Sequence, residues 1–273
     1  MDFTSILILA LIQALTEFLP ISSSAHLYLV GDLVGSGYQG IVFDLGLHLG
    51  TLAAVLVYFR RDWITLLRAA LQWRPGQPLD REQRMLLGLA LATIPGGVAA
   101  LALGDDGAMA LRNFLVIGIT QIVFGTLLWY AFARAASSER EERSLSLRDA
   151  VLIGVAQAVA LVPGVSRSGI TMTAGLLLGL ERVAAARFSF LLAVPITAAA
   201  ALHGVLELRH GNGGVDAGSF WLGAAISAVG GYLCIQFFLG MIRRIGVLPF
   251  FLYRVALGVV LLVLFFSGAA ATQ

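Results

Sequence analysis

Polar and ionisable side chains are concentrated in two short segments of a largely apolar chain, residues 13–26 and 163–171. The side chains that could take part in chemistry are Gln13, Glu17, Ser22, Ser23, Ser24 and His26 in the first segment, and Ser166, Arg167, Ser168 and Thr171 in the second. Ionisable groups in an apolar environment are costly, so a functional site is the first hypothesis for them.

Together these side chains form a set suited to phosphoryl transfer on a diphosphate. Arg167 can form two parallel hydrogen bonds with a phosphate, and serine hydroxyls can donate further hydrogen bonds or attack phosphorus. His26 can accept or deliver a proton near neutral pH. Gln13 and Glu17 are four residues apart, so they share a helix face and could offer oxygen ligands to Mg²⁺ or Ca²⁺.

Structural roles compete with each of these assignments. Serines in membrane helices often bond only to the backbone or to a neighbouring helix. Arg167 could simply neutralise Glu17, and His26 could be a hydrogen-bonded core residue. His48 lacks polar neighbours in the sequence, although it shares a helix face with Asp44, and the two could line a cavity.

The chain that positions these residues is too apolar for a soluble fold. Of its 273 residues, 59% are hydrophobic and 12% are charged, whereas soluble domains carry about 25% charged residues. A membrane-crossing helix needs about 20 apolar residues. We therefore predict an all-α polytopic membrane protein with six transmembrane helices, at roughly 41–59, 84–104, 112–133, 183–208, 218–242 and 249–268.

Composition also excludes several classes of function. All 18 basic residues are arginine, which excludes a lysine-dependent phosphate loop of the Walker type. No basic stripe with interleaved aromatic residues is present, so no nucleic-acid partner is expected. The lone Cys234 is expected to serve packing only.

Two further apolar regions, residues 3–34 and 149–180, are interrupted by polar residues. Pro20 and the serine triplet that follows it interrupt the first, and Pro163 and the Ser-Arg-Ser sequence that follows it interrupt the second. Half-length helices around a polar break predict two re-entrant broken helical hairpins, which membranes tolerate where the break lines a protein cavity.

The arginine distribution predicts an orientation. The segments 60–84, 134–148 and 243–246 are arginine-rich, whereas 105–112 and 207–217 have one arginine each, offset by acidic residues. The positive-inside rule makes the first three cytoplasmic and the other two external. The six crossings alternate if both hairpins return to their starting side, which places both chain termini outside.

An internal repeat predicts the same arrangement. The sequence QALTEFLPISSSA (13–25) aligns with QAVALVPGVSRSG (157–169) at an offset of 144 residues, with a one-residue gap. Each half then has one broken hairpin and three crossings, so the second half must be inverted. We predict one membrane domain over residues 1–273, with repeat halves at about 1–134 and 148–270, and with the two breaks meeting inside the bilayer.

At these residues the sequence resembles the undecaprenyl-diphosphate phosphatase family, the bacitracin-resistance type of bacterial inner membranes. The motifs are QALTEFLPISSSAH (13–26) and PGVSRSGIT (163–171), supported by FDLGLHLGTLAAVLVYFRRDW (43–63) and RFSFLLAVP (187–195). The resemblance covers essentially the whole chain. It implies hydrolysis of undecaprenyl diphosphate to the monophosphate carrier of cell-wall synthesis, a divalent cation, and an active site facing the periplasm.

The resemblance also implies roles for residues. Metal binding and catalysis fall on Glu17, with Gln13 a doubtful ligand because many relatives have glutamate there. We expect Ser23 to be the nucleophile, activated by His26, with Arg167 as the phosphate clamp and a metal-activated water as the alternative nucleophile. The residues expected to bind substrate are Ser22, Ser24, Ser166, Ser168 and Thr171. A transporter or flippase of a lipid phosphate is the competing function, and a homodimer is left open.

Overall fold

A computed structural model describes residues 1–33, 40–211 and 214–267 of the chain. The described residues form eleven α-helices: α1 (Phe3–Thr16), α2 (Ser23–Leu33), α3 (Ile41–Tyr58), α4 (Arg60–Leu71), α5 (Arg81–Ala110), α6 (Phe114–Arg134), α7 (Leu147–Ala158), α8 (Arg167–Leu177), α9 (Arg182–Arg209), α10 (Ala217–Arg244) and α11 (Leu248–Phe266). Short 3₁₀ turns at Ala135–Ser137, Glu142–Ser144 and Val159–Leu161 complete the helical structure.

Six helices in the described part of the chain are long and apolar enough to cross a membrane: α3, α5, α6, α9, α10 and α11. This confirms the predicted all-α fold with six crossings. Within α5 the candidate span ends at Gly104, where the backbone leaves helical geometry. Residue 268 of the last predicted crossing, residues 268–270 of the predicted second half and residue 34 of the first interrupted region lie outside the described residues.

The segment 60–84, predicted as a loop, contains the helix α4. This helix buries Leu66 and Ala69 and exposes Arg60, Arg61 and Arg68. The prediction had only an arginine-rich connection here, because α4 is too polar to meet the criterion for a crossing. The structure has an amphipathic helix instead.

The four remaining helices flank the two polar breaks. The helices α1, α2, α7 and α8 have 14, 11, 12 and 11 residues. At about 1.5 Å per residue the longest spans roughly 21 Å, which is short of the hydrocarbon core of about 30 Å. These lengths match the predicted half-length helices, while the return of each hairpin to one membrane side stays a prediction.

Close helix packing depends on small residues. A Cβ atom on Gly50 of α3 would lie 2.1 Å from the carbonyl oxygen of Ala224 in α10. The contact of α7 with α5 is similarly close, because a Cβ atom on Gly154 would lie 2.4 Å from the carbonyl oxygen of Ala92. Gly50 and Gly154 therefore mark close contacts between helices.

The arginine-rich segments meet at one end of the helix bundle. Arg81 pairs with Glu141 at 2.9 Å, which joins the 60–84 and 134–148 segments. Arg187, near the start of α9, pairs with Asp62 at 2.8 Å. The nitrogen of the amino terminus lies 3.9 Å from Asp216, at the start of α10 and so away from the arginines that end this helix. The relative placement of these segments is the one that the predicted topology requires.

A cluster of aromatic side chains packs against the first break. The ring of Phe18 packs edge-on against Phe190 of α9 with centroids 5.3 Å apart, and Phe190 contacts Phe238 of α10 at 5.8 Å. All three rings are almost fully buried. Phe18 therefore anchors the break that carries Glu17 to α9 and α10.

Candidate active site

The two breaks share an unusual backbone conformation. Ser22 and Ser166 have φ angles of 77° and 71°, and they are the non-glycine residues with positive φ in the described part of the chain. Such conformations cost of order 1–3 kcal/mol and persist only where the surrounding structure enforces them. The internal repeat matches these two positions to each other. In both breaks the serine hydroxyl lies beside that of the serine two residues later, at 3.3 and 3.2 Å.

The second break is held against α6 by Gly164 and Thr120. Gly164 has a φ of 88°, and a Cβ atom at this position would lie 2.1 Å from the Thr120 hydroxyl. That hydroxyl donates a hydrogen bond to the carbonyl of Pro163 at 2.7 Å. The Ser166 hydroxyl then accepts from the amide of Gly169 at 3.2 Å and caps α8. Only glycine fits at position 164.

Glu17 lies at the centre of the site and is almost fully buried. Its Oε2 atom accepts hydrogen bonds from the Ser23 hydroxyl at 2.7 Å and from the Gln13 amide at 3.0 Å. The Nε2 atom of His48 lies 3.5 Å from the same oxygen. Its Oε1 atom accepts a hydrogen bond from Arg167 of the second break. A buried carboxylate is stabilised by this number of partners.

Arg167 links the two halves of the chain. One terminal nitrogen pairs with Glu17, and the other donates to the Thr197 hydroxyl at 2.9 Å and to the carbonyl of Ala193 at 3.2 Å. The pairing of Arg167 with Glu17, weighed from the sequence as a structural role, is therefore present. It also holds the guanidinium in the wall of a cavity.

A cavity of about 210 Å³ lies between the two breaks. Six predicted site residues line it: Glu17, Ser22, Ser23, Ser24, Ser166 and Arg167. The remaining lining residues are Thr16, His48, Ala160, Ile196, Thr197 and Ala200. The breaks, 144 residues apart in sequence, thus meet at one cavity, as the sequence predicts.

The other four predicted site residues lie behind this wall. Thr171 bonds to the Ser189 hydroxyl at 2.7 Å, and Ser168 donates to the carbonyl of Leu19 at 3.2 Å. Gln13 is fully buried and its amide supports Glu17. None of these contacts presents the side chain to the cavity, so direct substrate binding by Ser168 and Thr171 stays a prediction that the geometry does not favour.

His26 faces away from Ser23. Its Nδ1 atom lies 2.7 Å from the carbonyl oxygen of Ser22, and its Nε2 atom lies 2.6 Å from the hydroxyl of Tyr253. Both ring nitrogens are therefore engaged, whereas the Ser23 hydroxyl donates to Glu17. The predicted hydrogen bond between His26 and Ser23 is not the one formed in this structure, because the i to i−4 bond to Ser22 turns the ring toward α11.

The sequence model of the family described as bacitracin resistance protein BacA matches residues 6–260. The chain belongs to this family. The resemblance inferred from the two motifs is thereby confirmed, and with six candidate spans this BacA-family chain is a multi-pass membrane protein.

Relatives align with this BacA-family chain along nearly their whole length. Undecaprenyl-diphosphatase 2 of Stutzerimonas stutzeri is 50% identical, with 97% of this chain and 99% of the relative covered. Undecaprenyl-diphosphatase 1 of Pseudoalteromonas translucida is 46% identical, with 96% and 98% covered. Undecaprenyl-diphosphatase of Nitrosococcus oceani is 47% identical, with 97% and 100% covered.

The possibility that His48 lines the cavity, inferred from its spacing to Asp44, is confirmed for His48, which lies beside Glu17. One buried residue near the breaks of this BacA-family chain was missed from the sequence. Buried charge was expected only at Glu17, His26 and Arg167, yet Arg254 of α11 is fully buried. The signal for it was a lone arginine in an apolar stretch of crossing length.

A divalent cation would find few protein ligands in this site. The described residues contain no cluster of three or more histidine, cysteine or acidic side chains that could hold a metal. Glu17 supplies one carboxylate, and the buried Oε1 atom of Gln13 has no hydrogen-bond partner. Mg²⁺ often binds through one or two carboxylates together with substrate phosphates. The residues therefore fit a cation shared with a diphosphate rather than one held by the protein alone.

Proposed function

We propose that this protein hydrolyses undecaprenyl diphosphate to undecaprenyl monophosphate and inorganic phosphate in the cavity between the two breaks. The observation that carries the proposal is the convergence of a carboxylate, a serine hydroxyl and an arginine from both breaks on that cavity. Relatives that are 46–50% identical along nearly the whole chain bear the name undecaprenyl-diphosphatase. The product would return to cell-wall synthesis as the lipid carrier.

Ser23 is the proposed nucleophile, with Glu17 as the acceptor of its proton. The hydroxyl already donates to Glu17 at 2.7 Å, which is the geometry that a general base requires. The serine oxygen would form a bond to the terminal phosphorus, and the bond from that phosphorus to the bridging oxygen would break. Undecaprenyl monophosphate leaves, and water then hydrolyses the phosphoserine to release inorganic phosphate.

Arg167 and two helix N-termini would stabilise the phosphate. Helix α2 begins at Ser23 and α8 begins at Arg167, and both residues line the cavity, so N-terminal amide groups of these helices would donate to a bound phosphate. Negative charge shifts toward the leaving oxygen during phosphoryl transfer, and a fixed guanidinium can stabilise it. The hydrogen bonds that Arg167 donates to Thr197 and Ala193 hold it in position for this role.

We further propose that Mg²⁺ or Ca²⁺ assists the reaction. Glu17, which lines the cavity, would hold the cation together with phosphate oxygens, and Gln13 would support Glu17 from behind the cavity wall. When bound, the ion would neutralise charge on the diphosphate. A metal-activated water in place of Ser23 is the alternative nucleophile, and the two mechanisms predict different effects of removing the Ser23 hydroxyl.

The active site is proposed to face the periplasm. His48 lies nearer the start of α3 than its end, and Ala200 lies nearer the end of α9. Both positions are in the half of the bundle away from the arginine-rich segments. If those segments are cytoplasmic, as the positive-inside rule predicts, the cavity lies toward the outer leaflet.

Phosphate release by purified protein tests the proposed function. We expect detergent-solubilised protein to release inorganic phosphate from undecaprenyl diphosphate in the presence of Mg²⁺ or Ca²⁺. We expect Ser23→Ala protein of equal yield to release almost none. A lipid flippase would instead move labelled lipid phosphate across vesicles without phosphate release, and that result would refute the hydrolase.

A further inference from the structure

Arg254 of α11 hydrogen-bonds to the backbone of both breaks and of α6. It is fully buried, and each hydrogen bond that the described chain gives it ends on a backbone carbonyl oxygen. It bonds to Pro20 in the first break at 2.9 Å, and to Gly164 and Val165 in the second break at 2.9 and 3.0 Å. Contacts of 3.2 and 3.4 Å to Gln121 and Thr120 of α6 complete the set.

The carbonyls of Pro20, Gly164 and Val165 belong to backbone outside the helices, whereas those of Gln121 and Thr120 lie within α6. A carbonyl inside a membrane protein needs an internal partner, because no water is at hand to replace the helical one. The Pro20 carbonyl lies two residues before Ser22, and Gly164 and Val165 directly precede Ser166. One guanidinium therefore joins the two strained turns from which α2 and α8 start.

We propose that Arg254 is a positioning residue for the phosphatase reaction: it holds the two breaks together so that Ser23 and Arg167 face the same cavity. The proposal rests on the proposed function. Arg167 also links the breaks, but through groups that the chemistry uses. Arg254 lies outside the residues that line the cavity, so its link is independent of substrate.

Two glycines leave space for the Arg254 side chain, and the neighbouring Tyr253 also contacts the first break. A Cβ atom on Gly125 would lie 3.1 Å from the Cβ of Arg254, and one on Gly169 would lie 3.1 Å from its Nη1 atom. Tyr253 bonds to His26, and His26 bonds to the carbonyl of Ser22. Arg254 thus binds the backbone of the first break directly, and Tyr253 reaches it through His26, which assigns a positioning role to His26 as well.

Two variants test the link directly. Arg254→Met keeps much of the volume without a donor, and Arg254→Lys keeps the charge but lacks the planar fork that reaches three segments. We expect both to lower kcat by at least about tenfold, since small misplacements of reacting groups are costly. We expect KM to change much less, because the groups that touch the substrate are retained. A purely structural role would instead lower the yield of folded protein and leave its kcat near the wild-type value.

A double-mutant cycle tests whether Arg254 acts through the alignment of the breaks. Once Arg167→Lys has removed the fork at the cavity, alignment matters less, so adding Arg254→Met should cost less than it does alone. If the loss in kcat/KM of the double variant equals the product of the losses of the two single variants, the proposal is contradicted.

A milder pair of variants covers the case in which Arg254 variants fail to fold. Gly125→Ala crowds Arg254, whereas Gly118→Ala crowds Leu262 and Gly258 in the same α6–α11 contact. We expect kcat to fall for Gly125→Ala and to stay near wild type for Gly118→Ala. Equal effects of the two substitutions on kcat, or a folded Arg254→Met protein with wild-type kcat, would overturn the proposal. Inactivity of the wild-type protein on undecaprenyl diphosphate would instead refute the proposed function.

Discussion

The two polar breaks have closely similar backbones and opposite chemistry. Each has a serine with positive φ whose hydroxyl lies beside that of the serine two residues later. The residue between the two serines differs, and it is Ser23 in the first break and Arg167 in the second. Glu17 likewise has no acidic counterpart, because Leu161 stands at the same offset. One backbone design therefore presents a serine hydroxyl and a carboxylate from one side, and a guanidinium from the other.

The largest expected effect is at the middle position of the first break. Ser23→Ala should lower kcat by at least about 10³-fold, because removing a nucleophile stops the covalent step. Ser24→Ala is the matched control, since its hydroxyl contacts Ser22 and not Glu17. Single-turnover phosphate release from purified protein measures both. Retention of more than a few per cent of wild-type turnover by Ser23→Ala would favour the metal-activated water.

The middle position of the second break should give the next largest effect. Arg167→Lys keeps the charge but loses the planar fork, so we expect turnover to fall by about 10²–10³-fold. Arg167→Ala leaves Glu17 as a buried charge and should also reduce stability. The double variant with Glu17→Gln removes both charges and serves as the folding control. Near-normal hydrolysis by a well-folded Arg167→Ala protein would exclude the phosphate clamp.

Glu17→Gln tests the acidic side of the comparison. It removes the proton acceptor of Ser23 and most of the negative charge available to a cation, so turnover should fall by about 10²-fold. Gln13→Glu adds a carboxylate beside it and should shift the Mg²⁺ or Ca²⁺ titration of activity to lower concentration. Full activity of Glu17→Gln at low cation concentration would rule out both roles.

The smallest effects concern the strained serines and bear on stability. Ser22→Gly should relieve the positive φ and raise the stability of the fold by about 1 kcal/mol, less the entropy that glycine loses. Ser166→Gly should gain a few tenths less, because its hydroxyl also caps α8. Thermal unfolding of purified protein in detergent compares the two. A loss of stability in Ser22→Gly would mean that the hydroxyl contributes more than the strain costs.

Much of the fold was predictable because its signals are local. Length and hydropathy identify the six crossings, and proline beside polar clusters identifies the two breaks. The cavity could be anticipated because the repeat relates the breaks to each other. The helix α4 was missed because its composition is polar overall, and this hides the helical spacing of its leucine and arginine residues.

The parts of the site that could not be predicted depend on packing between distant helices. His48 reaches Glu17 only because α3 packs beside α1, and Arg254 reaches both breaks only because α11 packs against α6. The activation of Ser23 by His26 stays a prediction, and in this structure the Ser23 hydroxyl donates to Glu17 instead. Spacing places His26 near Ser23, but the direction of the ring depends on its bond to the Ser22 carbonyl.

The links between the breaks also bear on how this protein can move. Alternating-access carriers rock one repeat against the other around a central site. Here such rocking would pull Arg254 from the carbonyls of both breaks and separate Glu17 from Arg167. Each separation would leave unpaired charge in the bilayer interior, which is costly. The two links between the breaks therefore oppose a rocking motion of this kind.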